Sequence, residues 1–197
     1  MVMRFLSTNE IVENVLTDEQ IATIYKNVEN SHNSYVMELF SQNISDFELP
    51  KDIERKIITK CQTIGGESDL EITEYQFSRY KNTTLENGEV IRPNLTPHAD
   101  QTFQEPRFTF DYQIGGNTTW PIIVEGKSFT LQNNQALTFS GTHQVHWREP
   151  KIFSDDEYVD MVFFHLRKRG SGPLPQEMKD EVTEKIARYK KEYDEAN

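Results

Sequence analysis

The chain has 197 residues, with 21 basic and 32 acidic side chains and a formal net charge of −11. This length favours one domain spanning residues 1–197, and a hydrophobic content of 36% favours a folded chain. The pI near 4.9 argues against nucleic acids and membranes as partners, because phosphate backbones and anionic lipids attract basic surfaces. The lone Cys61 excludes an internal disulfide. We expect a cytoplasmic protein, since no apolar run could span a membrane and Met1–Glu10 lacks the apolar core of a secretion signal.

The N-terminal third, residues 17–64, is predicted to be mainly helical. Thr17–Gln20 fits a capping box, which marks the start of a first helix. The polar stretch Ser31–Ser34 is expected to interrupt this helix before it resumes over Tyr35–Phe40. A second helix is predicted over Lys51–Cys61, after Pro50 and before the Gly65-Gly66 pair.

The middle of the chain, about residues 69–167, is rich in short β-type segments separated by Gly and Asn turns. This spacing predicts a sandwich or barrel. Lys81–Pro93 contains an Asn87-Gly88 turn signal and is interpreted either as a mobile loop over a binding site or as a simple hairpin. The predicted strands are Asp69–Tyr80, Arg107–Ile114, Thr119–Val124, Phe129–Leu131, Ala136–Phe139, Gln144–Arg148 and Tyr158–Leu166.

A C-terminal helix is predicted over residues 175–195, because an apolar stripe at helical spacing follows Pro175. Such a short stripe is typical of a helix that covers the domain, and a coiled-coil partner role is the less favoured reading. The fold class is therefore mainly β with flanking helices.

Pro97-His98-Ala99-Asp100 is the segment most indicative of chemistry. In an extended segment, residues i and i+2 point to the same face, so His98 and Asp100 can bind one metal ion. A further histidine from a neighbouring strand would complete a two-histidine, one-carboxylate set, which leaves coordination positions open and suits non-haem Fe(II). Taken alone, however, a His-x-Asp tripeptide is a weak signal.

His143 and His146 compete for the third ligand position. They are three residues apart, so on a strand only one of them can face the site. Strand alternation favours His146, which shares its face with Arg148, and it places Trp147 on the opposite face, outside the site. Of the other histidines, His32 is expected to be solvated and His165 to be buried and hydrogen-bonded, without binding a metal.

Several segments, in order, resemble the 2-oxoglutarate/Fe(II)-dependent dioxygenases, particularly the compact prolyl-hydroxylase-like branch. The resemblance covers roughly residues 10–167, with Leu131 and Asn134 replacing a Pro and a Gly of the family pattern. The segments that carry it are Glu10–Gln20, Tyr75–Tyr80, His98 with Asp100, Arg107–Gly116, Leu131–Ser140, His146–Pro150 and Val162–His165.

The resemblance implies a double-stranded β-helix, a jelly-roll or cupin-like barrel, in which His98, Asp100 and His146 hold Fe(II). It also implies 2-oxoglutarate and O2 as co-substrates, with a basic residue on the far carboxylate. This branch usually places that residue about ten positions after the distal histidine, where this chain has the acidic Phe153–Glu157. Arg148 is our preferred replacement, because a guanidinium can bind a carboxylate with two hydrogen bonds.

Further roles implied by the resemblance concern the co-substrate and the substrate. Arg167 and Lys151 are the second and third choices for the carboxylate, and Tyr80 would donate a phenol hydrogen bond to the co-substrate. Arg107 and Trp120 lie where this branch often presents substrate contacts, although a strand-edge charge and a core residue are the alternatives.

The implied reaction converts 2-oxoglutarate to succinate and CO2 while hydroxylating an unactivated C–H bond. A carboxylate at Asp100 favours hydroxylation, since related halogenases have Ala or Gly there. The substrate would be a small molecule or a peptide, and the oligomeric state stays open. The alternatives are a cupin-like metal protein that does not use 2-oxoglutarate and a non-catalytic jelly-roll binding module.

Overall fold

The computed structural model describes residues 9–37, 40–100 and 106–197. Residues 1–8, most of the segment tested for a secretion signal, lie outside these ranges. The helices are α1 (Asp18–Glu29), α2 (Lys51–Gly65) and α3 (Gln176–Ala196). The strands are β1 (Glu10–Glu13), β2 (Ser34–Met37), β3 (Gln42–Ser45), β4 (Leu70–Tyr80), β5 (Thr83–Thr84), β6 (Val90–Ile91), β7 (Leu95–His98), β8 (Phe108–Gly116), β9 (Ile122–Val124), β10 (Lys127–Phe129), β11 (Gln135–Phe139), β12 (His146–Arg148) and β13 (Val159–Lys168).

Local sequence features explain where the first helix begins and where the second helix begins and ends. The Thr17 hydroxyl accepts the Gln20 backbone N–H at 3.3 Å, and the Gln20 side chain accepts the Thr17 backbone N–H at 3.2 Å. The capping box is therefore confirmed as the start of α1. Helix α2 begins after Pro50 and ends where Gly66 adopts a left-handed conformation with φ of 68°, a conformation that suits glycine.

Two antiparallel sheets enclose the interior. The larger sheet has the strand order β1-β11-β8-β13-β4-β3-β2, and the smaller has the order β10-β9-β12-β7. Strand β13, the last in sequence, lies in the middle of the larger sheet between β4 and β8. The predicted mainly β architecture with flanking helices is confirmed.

The inner face of the larger sheet aligns side chains in rows across β8, β13 and β4, because these strands are in antiparallel register. The rows alternate with residues that face the helices, as the two-residue period of a strand requires. In order along β8, three successive rows are Thr109 with His165 and Glu74, Asp111 with Phe163 and Gln76, and Gln113 with Met161 and Ser78.

The helices cover the outer faces of the two sheets. Ile24 of α1 and Ile57 of α2 are fully buried in one cluster with Phe110 and Phe164 of the larger sheet. Helix α3 packs on the smaller sheet, with Tyr189 against Trp147 at a ring-centroid distance of 4.8 Å. The predicted covering role of the C-terminal helix is confirmed, and Trp147 faces away from the interior as alternation requires.

The predicted resumption of the first helix over Tyr35–Phe40 is wrong for the residues described. Ser34–Met37 form β2, which pairs with β3, and residues 38 and 39 lie outside the described ranges. Aromatic and β-branched side chains such as Tyr35 and Val36 suit an edge strand, and pairing with Ile44 and Asn43 overrides the local helical pattern. Lys81–Pro93 forms a hairpin of β5 and β6, with Gly88 at a φ of 83° in its turn.

No helix within the described ranges is long and apolar enough to cross a membrane.

Candidate metal centre and its cavity

Two histidine rings meet across the smaller sheet. His98 and His146 are register partners on β7 and β12, and their ring centroids lie 4.2 Å apart. Each Nδ1 lies close to a backbone carbonyl two residues earlier, at 2.9 Å from Thr96 O and 3.1 Å from Gln144 O. This contact favours the Nδ1–H form and leaves each Nε2 lone pair available to a metal.

Asp100 follows β7 and brings its carboxylate between these histidines. Its Oδ1 lies 3.7 Å from His98 Nε2 and 3.5 Å from His146 Nε2. Its backbone N–H donates to the Gly141 carbonyl at 2.7 Å, which ties the loop after β7 to the turn before β12. Among the described residues, the cluster with mutually close metal-binding atoms consists of His98, Asp100 and His146.

The electrostatics of the cluster fit a divalent cation. Burial, with a contribution from His146, lowers the pKa of His98 to about 4, so this ring is neutral at neutral pH. Burial opposes ionisation of Asp100, but His146 and His165 outweigh it and hold the pKa of Asp100 well below its usual range. Burial also opposes protonation of His146, but Asp100 outweighs it and raises the pKa of that ring. Two imidazole nitrogens and one carboxylate oxygen form a donor set that Fe(II) accepts.

The structure places His146, and not His143, beside His98 and Asp100. Strand β12 begins only at His146, because the preceding residues form a turn in which the His143 and Gln144 N–H groups bond to Ser140 O. His143 is only half-buried and lies near α3, where burial and then Lys185 lower its pKa. His32 is exposed, as predicted.

A cavity of about 220 Å³ opens at this cluster. It lies between the inner faces of the two sheets, and its wall combines apolar and aromatic side chains with a larger number of polar and charged ones. No residue of Lys81–Pro93, all of which the structure describes, lines this cavity. The hairpin interpretation of that segment is therefore preferred over a covering loop. The lining residues are Met37, Phe40, Gln42, Glu74, Tyr75, Gln76, Tyr80, Leu95, His98, Asp100, Asp111, His146, Arg148, Phe163 and His165.

Arg148 is the basic residue that reaches this cavity. Its side chain is 1% exposed and forms no ion pair among the described residues. The guanidinium lies over the Trp120 ring at 4.9 Å, donates to the Trp120 carbonyl and contacts Met161 Sδ at 3.8 Å. Burial lowers the pKa of Arg148 but leaves it a cation. A buried cation without a direct ion pair favours an anionic ligand.

The alternative basic residues have other partners. Arg167 donates to Glu71 at 2.8 Å, and Lys151 donates to the Thr119 carbonyl at 2.9 Å and contacts Thr118 Oγ1. Neither lines the cavity.

The remaining predicted residues divide between the cavity and the core. Tyr80 lines the cavity and is 1% exposed, with burial raising its pKa. Trp120 is a core residue that supports Arg148 and packs edge-on against Tyr80 at 5.0 Å. Arg107 is mostly buried and bonds Glu74 at 3.0 Å.

Two acidic side chains in the cavity were missed by the sequence reasoning. Asp111 is 3% exposed, and burial raises its pKa to about 6. Glu74 lies beside His165, whose hydrogen bond is the main cause that lowers the pKa of Glu74 to about 2. A partial signal existed for Asp111, because strand alternation places it on one face with Thr109 and Gln113, but only the fold shows that this face lines the interior.

The comparisons with known proteins agree at the level of fold. No family model and no curated protein matches the chain. Its structure is similar to HygX from Streptomyces hygroscopicus with nickel, 2-oxoglutarate and hygromycin B bound, with a TM-score of 0.59, 6% identity and coverage of 90% of this chain and 96% of HygX. It is also similar to the α-ketoglutarate-dependent epimerase SnoN from nogalamycin biosynthesis, with a TM-score of 0.65, 13% identity and coverage of 87% and 83%.

A third similar structure is a prolyl hydroxylase from Trichoplax adhaerens in complex with a hypoxia inducible factor peptide fragment. The TM-score is 0.53 and the identity 14%, with coverage of 84% of this chain and 87% of that chain. These likenesses, at low sequence identity, concern the fold. The chain therefore has the fold of the 2-oxoglutarate/Fe(II)-dependent oxygenases.

Proposed function

We propose that this protein is a non-haem Fe(II) oxygenase. It couples oxidative decarboxylation of 2-oxoglutarate to succinate and CO2 with hydroxylation of a C–H bond in a small molecule or a peptide. The observation that carries the proposal is that one cavity combines the donor set of His98, Asp100 and His146 with the buried, unpaired cation of Arg148.

His98, Asp100 and His146 would hold the iron, which supplies the binding and activation of O2 when it is present. The Nδ1 contacts of both histidines fix the ring orientations in advance, so the donor atoms need little rearrangement to bind it. Three protein ligands leave further positions for a co-substrate.

Arg148 would bind the far carboxylate of 2-oxoglutarate. Its contact with Met161 places it at the third row of the inner face, whereas Thr109 and His165 of the first row lie beside Asp100. An elongated dicarboxylate can therefore extend from the metal ligands towards the guanidinium. The Tyr80 hydroxyl, which has no hydrogen bond among the described residues, would add a donor to the same carboxylate.

The substrate would enter past the apolar side chains at the edge of the cavity, which include Met37, Phe40 and Leu95. The similar structures contain two kinds of bound molecule, hygromycin B in HygX and a peptide in the Trichoplax enzyme. The proposal accordingly names a small molecule or a peptide as the substrate class.

Anaerobic addition of Fe(II) and 2-oxoglutarate tests the proposal, because their chelate gives a weak visible charge-transfer band. We expect the band in the wild-type protein, followed by succinate release when O2 is admitted. His98→Ala and Asp100→Ala should lose both, and His143→Ala, which removes a histidine outside the cluster, should keep both. Metal binding without the band would indicate a cupin-like protein, and absence of metal binding would indicate a binding module.

A further inference from the structure

The two carboxylate oxygens of Asp100 have different surroundings. Oδ1 faces His98 Nε2 at 3.7 Å and His146 Nε2 at 3.5 Å. Oδ2 points the other way, towards the larger sheet, where it lies 3.4 Å from His165 Nε2 and accepts the Thr109 hydroxyl at 3.3 Å. The carboxylate thus lies between the two sheets, with Oδ1 facing the histidines of the smaller sheet and Oδ2 contacting residues of the larger sheet.

His165 is itself held by the larger sheet. It lies on β13, in register with Thr109 on β8 and Glu74 on β4. Its Nδ1 is 3.4 Å from Glu74 Oε2, and Glu74 also accepts Arg107 Nη1 at 3.0 Å. Each ring nitrogen therefore faces a carboxylate oxygen, and in the tautomer with the proton on Nε2 the ring donates to Asp100 Oδ2.

His165 does not belong to the donor cluster, which consists of His98, Asp100 and His146 among the described residues. Its side chain is 18% exposed, so it is mostly enclosed beside the cavity. Through Nε2, this ring thus contacts the Asp100 carboxylate, which would bind the metal, and is not itself one of the donors.

We propose that His165 is a positioning residue for the metal centre, which holds Asp100 Oδ2 so that Oδ1 alone binds the metal. The inference rests on the metal centre of the proposed function. A carboxylate can bind a metal through one oxygen or both, and donors on Oδ2 disfavour the second mode. Single-oxygen binding keeps a coordination position open, and residues that orient a ligand in this way typically change metal affinity 10–100-fold when replaced.

The experiment measures Co(II) affinity of the full chain by the visible absorption of the bound ion. His165→Leu should weaken Co(II) binding by about 10–100-fold. His165→Gln, whose amide can still donate to Oδ2, should lose clearly less Co(II) affinity than His165→Leu. Lys168→Gln, which removes a 2.9 Å ion pair between the last residue of β13 and Glu67 in the connection after α2, should bind Co(II) as the wild type does.

The absorption spectrum of the bound Co(II) gives a second readout, because a change from one carboxylate oxygen to two alters the coordination number. A purely structural role for His165 would lower the melting temperature of the metal-free protein without changing this spectrum. If His165→Leu does not fold, His165→Asn, whose amide is too short to reach Oδ2, is compared with His165→Gln.

Equal Co(II) affinity and an unchanged spectrum in the wild type and the His165 variants would overturn this inference while leaving the metal centre intact. Failure of the wild-type protein to bind Co(II) would instead overturn the metal centre on which it rests.

Discussion

His98 and His146 are direct partners in the backbone register of β7 and β12, with ring centroids 4.2 Å apart. The distance between these two histidines is therefore set by the hydrogen bonds of the sheet rather than by a flexible loop. Asp100 completes the group through its backbone bond to Gly141. Because backbone hydrogen bonds hold all three positions, we expect the site to be formed before any metal binds.

Gly141 is the place where this arrangement tolerates no side chain. A Cβ at Gly141 would overlap both Asp100 Oδ2 and Thr109 Oγ1. We expect Gly141→Ala to displace the Asp100 carboxylate and to weaken Co(II) binding at least tenfold, as loss of a ligand-orienting contact does. The affinity is measured by spectroscopic titration. Gly172→Ala, at a position with open space, is the matched control, and an undisturbed affinity in Gly141→Ala would show that Asp100 is not a ligand.

Replacement of Arg148 should separate co-substrate binding from metal binding. Arg148→Met keeps an apolar stem against Trp120 and Met161 but removes the charge. Losing one partner of a buried charge pair costs at least about 2 kcal/mol, which corresponds to a rise of about 30-fold in the Kd of 2-oxoglutarate. The Kd is measured from the charge-transfer band at saturating Fe(II), with Co(II) affinity as the check on the metal centre. Arg167→Gln should leave both values unchanged, and a larger effect there than in Arg148→Met would reverse the assignment.

Because Asp111 is buried, we expect the stability of the metal-free protein to depend on pH. Burial raises the pKa of Asp111 from the ordinary aspartate value of about 3.8 to about 6. The folded state therefore binds the Asp111 proton more tightly than the unfolded state does. The stability that comes from this protonated carboxyl is fully present below about pH 4 and is lost as the pH rises through about 6. At most about 3 kcal/mol is involved, at 1.36 kcal/mol for each pKa unit.

Asp111→Asn cannot undergo this ionisation. The variant should be more stable than the wild type at pH 7.5, and the difference should shrink towards pH 4. Urea unfolding with a chelator present at both pH values measures it. An equal stability difference at both pH values would mean that folding does not raise the pKa of Asp111, and a larger loss of stability at pH 7.5 than at pH 4 would mean that the fold stabilises the ionised carboxylate.

Asp160 joins α1 to the larger sheet, away from the cavity. Its fully buried carboxylate accepts two bonds from Arg79 at 2.7 Å and one from the Tyr25 hydroxyl at 2.9 Å. Asp160→Ala leaves the Tyr25 hydroxyl without its acceptor, whereas Arg79, whose side chain is 41% exposed, can bind water instead, so the fold should lose about 1.5–3 kcal/mol. Tyr25→Phe should cost about 1.5–3 kcal/mol, the usual range for a bond to a charged group.

Chemical denaturation measures both of these changes, and Co(II) affinity should stay as in the wild type. Asp69→Ala, which removes an exposed pair with Arg169, is the control and should change the stability by less than about 1 kcal/mol. An Asp160→Ala variant as stable as this control would show that the buried network does not contribute to folding.

Local sequence patterns predicted the donor set because its geometry depends on strand alternation. His98 and Asp100 are two residues apart in an extended segment, and Arg148 is two residues from His146, so period-two reasoning placed each pair on one face. The same alternation put Trp147 outside the site, against α3.

Features that depend on pairing between distant segments were not predictable in this way. Tyr35–Phe40 has an apolar pattern compatible with a helix, but the described residues Ser34–Met37 form a strand because they pair with β3. The contacts of Glu74 and His165 with the site follow from the register of β4 and β13, which no local pattern specifies. The grouping of His98, Asp100 and His146 was therefore predictable from the sequence, whereas the side chains that surround this group were not.

The central position of β13 has a consequence for the order of events during synthesis. All three donor residues and Arg148 precede β13 in the chain, but β4 and β8 cannot be joined into one sheet until this last strand inserts between them. A nascent chain that ends before β13 carries the donors without the sheet that encloses them. Insertion of the last strand is thus the step that encloses His98 and His146 in the cavity between the two sheets.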